Sequence, residues 1–105
     1  MGNISTIGTA GQLRATRALM KFCRDHRHNP LFVEKLGDCL AALENKDKER
    51  VMGVMELFKH AGSGSYLDWR PEVTADNEDP EYVETVWWAL NANWHHALSV
   101  INKPG

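Results

Sequence analysis

Cys23, His26, His28 and Cys39 are the side-chain types that hold zinc, and Cys23 and His26 stand at Cys-x2-His spacing. The pattern stops there. On a helix His28 points off the Cys23 face, and no CxxC or HxxxH accompanies the set. Core thiols with surface histidines, and no bound metal or other cofactor, are therefore expected. His95 and His96 are adjacent, so on a helix they diverge by about 100° and cannot chelate one ion. His60 falls at a helix end, where a protonated ring interacts with terminal carbonyls. A catalytic histidine needs an orienting carboxylate and a nucleophile, which no motif here supplies. The run Asp76-Asn77-Glu78-Asp79 is rich in oxygen but lacks the alternating acids, glycine and later glutamate of a calcium loop.

The stretch HAGSGSYLDWRP, residues 60–71, is the other chemical candidate. A phosphate cradle needs glycines just before a helix start, where backbone N–H groups converge. Gly62 and Gly64 instead follow a helix end, with no GK[ST] and no GxGxxG. The spacing favours a corner: Gly62 caps a helix, Ser63-Gly64-Ser65 reverses the chain, and Tyr66, Leu67 and Trp69 fold back over the core. Residues 57–68, LFKHAGSGSYLD, resemble the loop of a family of small bacterial helical domains with no established activity. With the preceding helical pair and the final helix, the resemblance covers about 15–102. It implies an all-helical bacterial or phage domain and transfers no catalytic residue.

Two surfaces carry uneven charge. Arg14, Arg17, Lys21 and Arg24 share one side of the first predicted helix. They could meet phosphate, but the chain is acidic overall and no aromatic platform flanks them, so nucleic acid is disfavoured. Met1-Gly2-Asn3-Ile4-Ser5-Thr6 fits the N-myristoylation pattern, which with this basic face would make a membrane-surface anchor. Between 68 and 84 lie Asp68, Glu72, Asp76, Glu78, Asp79, Glu81 and Glu84, opposed only by Arg70. Trp88 falls off the apolar stripe of the last helix, with Ala92, His95 and Ser99 on its side. A large aromatic among small residues marks either a contact surface or a helix buried on two sides.

The elements that must position these residues follow from hydrophobic period. Thr9-Ala10-Gly11-Gln12 reads as a capping box opening a helix to about His28, with Leu13, Thr16, Leu19, Met20, Phe22 and Cys23 inward. Asn29-Pro30 starts a second helix over about 30–44, and Asp79-Pro80 a fourth over about 80–102. A third spans about 47–61, and its wide apolar arc predicts the most buried helix. Residues 1–8 read as a flexible tail.

At 105 residues, with 43% hydrophobic and 25% charged residues and net charge −2, the chain suits one globular domain. No run approaches the roughly 18 apolar residues of a membrane span, and the first residues do not read as a signal peptide. Two cysteines on apolar faces fit free thiols in a cytoplasmic protein.

The expectation is an all-α domain over 1–105: about four bundled helices with an irregular acidic connection between the third and fourth. Its expected function is non-enzymatic binding of a protein with a basic surface, in the manner of an immunity protein, antitoxin or phage-encoded inhibitor. Asp68, Trp69, Glu72, Asp76, Glu78, Trp88 and His95 form the expected contact set. Homodimerisation through the Trp88 face is compatible with it. The alternatives are a small enzyme or metal protein using His60, His95 or the Cys23/His26 region, and nucleic-acid or membrane-surface binding through the basic helix face.

Overall fold

The computed structural model describes residues 7–59, 71 and 78–102. Among them are four α-helices: α1 (Ala10–Asp25), α2 (Pro30–Glu44), α3 (Lys48–Lys59) and α4 (Pro80–Ser99). A 3₁₀ turn at Val100–Asn102 extends α4. The chain is an all-α bundle, with no strand among the described residues. The Gly62 cap and the 63–77 part of the acidic connection, Pro71 apart, lie outside the described residues.

The helix starts form where side chains accept the orphan N–H groups of a first turn. Thr9 accepts from Gln12 N at 3.3 Å, and Gln12 Oε1 accepts from Thr9 N at 3.2 Å, closing the capping box. Asn29 and Asp79 each cap the residue two positions on, at 3.0 Å, with proline at the first helical position.

The helix ends were harder to read. α1 stops at Asp25, short of the His28 its periodicity suggests. His28 N donates to Cys23 O at 2.8 Å and Arg27 N to Arg24 O at 3.3 Å, the paired bonds of a Schellman motif. Asp47 N to Ala42 O and Lys46 N to Leu43 O repeat it at the end of α2. Both motifs need a left-handed residue, and neither uses glycine: Arg27 has φ 64° and Lys46 φ 56°.

α1 runs antiparallel to α4 on one side and to α2 on the other, and α3 packs on α2. The wide apolar arc suggests α3 as the most buried helix; among the described residues it is α1, packed on α2 and α4, and α2, packed on α1 and α3, that are each flanked by two helices. The inward stripes meet as expected. Leu19, Leu36, Leu43, Phe58, Trp87, Trp94 and Leu98 are fully buried, and Phe58 joins Phe32 to Trp94 by ring contacts at 5.4 Å. Ile7 and Gly8 are docked rather than part of a loose tail. Ile7 packs on the core and accepts from Lys46 Nζ at 3.1 Å, and Gly8 N donates to Gln12 Oε1 at 2.7 Å. Gly8 sits at φ 80°, and a Cβ there would come within 2.5 Å of Leu43 O.

A buried polar thread sets the register of α1 on α4. Trp94 Nε1 donates to Thr16 Oγ1 at 3.1 Å, Thr16 Oγ1 donates to Gln12 O at 2.8 Å, and Gln12 Nε2 donates to Ala97 O at 3.2 Å. Thr16→Val keeps the shape but leaves the Trp94 N–H without its acceptor. It is expected to cost about 1–3 kcal/mol in urea unfolding, whereas Thr16→Ser, which retains the hydroxyl, costs less. Equal stability of Thr16→Val and wild type would refute this role.

Candidate functional site

Among the described residues, His26 and Glu78 meet at the junction of α1 with the start of α4, and Trp88 and His95 lie on the outer flank of α4. At the junction the histidine expectation is corrected. His26 and His28 are 9% and 4% exposed, not surface residues. His26 lies one turn beyond Phe22 on the inward stripe, and the two rings stack at 4.1 Å. His28 packs against Phe32 and Trp87 at 5.2 and 5.6 Å, and its Nδ1 accepts from Asn29 N at 2.7 Å.

Both ring nitrogens of His26 are engaged. Nδ1 lies 3.0 Å from Phe22 O, and a carbonyl only accepts, so Nδ1 carries a proton. Nε2 lies 3.1 Å from Glu78 Oε2, a contact that requires one more proton on the ring or the carboxylate. This clasp ties the end of α1 to the residue before the α4 cap. It also occupies the atoms a general base would use on a substrate. Phe22, His26, Glu78, Tyr82, Val83 and Val86 line a small recess of about 230 Å³ there.

Cys23 and Cys39 are both buried, at 0% exposure, and neither is in a disulfide. Burial pushes the Cys39 thiol from 9.0 up to about 12, because the thiolate loses its hydration there. Among the described residues, no three His, Cys, Asp or Glu side chains converge on a metal-sized site. No helix among them is long and apolar enough to cross a membrane.

The flank of α4 is different in kind. Trp88 is 41% exposed, and its ring lies 6.2 Å from that of the buried Trp87. Glu81, Glu84 and Ala92 are exposed on the same side at spacings of three and four residues, and half-buried His95 leans on Trp94 at 5.2 Å. No lysine or arginine occurs between 78 and 102. Of the expected contact set, this flank brings together Trp88 and His95, while Glu78 belongs to the clasp at the far end of the helix. Asp68, Trp69, Glu72 and Asp76 lie outside the described residues, as does His60.

No family model, curated protein or solved structure matches the chain.

Two outcomes are expected. A double-mutant cycle with His26→Ala and Glu78→Ala should give a coupling of about 0.5–1 kcal/mol, and strict additivity would refute the clasp. The raised Cys39 value means the folded state keeps its proton longer than the unfolded one. The stabilisation is complete below pH 9 and is lost as pH rises from 9 toward 12. Cys39→Ala should therefore show a shallower alkaline decline of unfolding free energy than wild type.

Proposed function

We propose that the protein is a non-enzymatic protein-binding module whose contact surface is the outer flank of α4. The observation that carries this reading is Trp88: a large aromatic left 41% exposed on a helix whose other tryptophans, Trp87 and Trp94, are fully buried. Exposed tryptophans ringed by small and polar residues are the side chains that anchor interfaces. Glu81 and Glu84 give the flank acidic character, which suits a partner with a basic surface. Asp68, Trp69, Glu72 and Asp76 would extend the same acidic, aromatic character along the connection. A small inhibitor that masks a cationic surface, such as an immunity protein, an antitoxin or a phage-encoded inhibitor, uses this combination to steer association. A second copy of the chain meeting the Trp88 flank is compatible with it.

The test is affinity enrichment from cell extract with wild-type and Trp88→Ala baits, followed by direct measurement on the partner recovered. Trp88→Ala is expected to weaken that complex by about 2 kcal/mol or more, mainly through faster dissociation, with little change in melting temperature. Glu81→Lys with Glu84→Lys should slow association, and more so at low salt. A large fall in melting temperature with unchanged partner affinity would remove Trp88 from the functional surface.

A further inference from the structure

We infer that the corner between α1 and α2 is a binding site for a small organic anion with an apolar body, such as an aryl carboxylate. This site is separate from the α4 flank and independent of the reading given for it. The inference starts from a comparison of two like corners. Each is a Schellman motif whose left-handed position strongly favours glycine, and each carries a long cation there instead, Lys46 or Arg27. Lys46 has a structural reason: its Nζ donates to Ile7 O at 3.1 Å and ties down the N-terminal segment. Arg27 has none of this kind. Its side chain is exposed, and neither its guanidinium nor that of Arg24 has a hydrogen-bond or ion-pair partner among the described residues. A residue kept in a costly backbone conformation without a structural use points to a ligand.

What surrounds Arg27 says which ligand. Arg24, Arg27, His28, Pro30, Val33 and Glu34 line an open groove of about 510 Å³, within the size range of small-molecule sites. Pro30 and Val33 give an apolar floor. The two arginines offer planar N–H forks suited to a carboxylate. Glu34 in the same lining repels a polyanion such as a nucleic-acid backbone but tolerates a single anionic head. The chemistry therefore selects one carboxylate attached to a flat or short apolar group.

The probe is 2-naphthoate, titrated into the full chain and followed by amide NMR shifts, with 2-naphthamide as the uncharged control and heparin as the polyanion control. Shifts are expected to concentrate at residues 24–34. Arg24→Gln should weaken binding about tenfold, and the amide should bind about tenfold more weakly than the acid. Arg27→Gly separates structure from recognition. It relieves the left-handed conformation, so melting temperature should rise by about 4 °C, while affinity for 2-naphthoate falls about tenfold. The proposal is overturned if Arg27→Gly binds as tightly as wild type, or if it lowers the melting temperature. It is equally overturned if the amide matches the acid, or if only heparin shifts this region.

Discussion

The bond from the Trp94 indole to the Thr16 hydroxyl fixes how α1 lies on α4, and much of the described core depends on that register. The bond is buried, so neither partner has water as an alternative, and sliding either helix by a turn would leave polar groups unsatisfied. Gln12 strengthens the constraint because one side chain does two jobs. Its Oε1 closes the capping box, and its Nε2 reaches Ala97 O across the interface. The start of α1 is thereby coupled to the end of α4. The His26–Glu78 clasp holds the opposite end of the same pair. Between them Phe22 and Trp87 stack at 6.0 Å. A helix pair pinned at both ends and packed with aromatics between offers α2 and α3 a fixed surface to cover.

This arrangement also determines what the surface can do. α1 is flanked by α2 and α4, and its arginine-rich side, with Arg14, Arg17, Lys21 and Arg24, is exposed. α4 commits Val83, Trp87, Trp94 and Leu98 to the core and leaves Glu81, Glu84 and Trp88 outside. The two helices thus carry surfaces of opposite charge, while the net charge of the chain stays at −2. Asn91 is the exception inside. It is 4% exposed, its Nδ2 donates to Trp87 O at 2.9 Å, and its Oδ1 accepts no hydrogen bond among the described residues.

The sequence by itself determined the helix starts and the inward stripes. Thr9, Asn29 and Asp79 act on N–H groups two or three residues away, and the 3.6-residue period places Leu19, Phe58 and Leu98 inward whatever the neighbours are. It also held the signal for His26, four residues after Phe22 on the same stripe, although residue type suggested the surface. The ends of α1 and α2 were not legible, because the left-handed positions carry Arg27 and Lys46 where a glycine would have announced them. Tertiary structure alone decided that Gln12 bonds Ala97, that Thr16 bonds Trp94, and that Glu78 is held by His26 rather than left on an acidic rim. It also decided that Trp88 lies outside and that Arg24 and Arg27 share a groove with Pro30 and Val33. Each of these depends on which side of a helix another helix covers. Local periodicity gives a helix its two faces, but only long-range packing chooses the neighbour that each face meets.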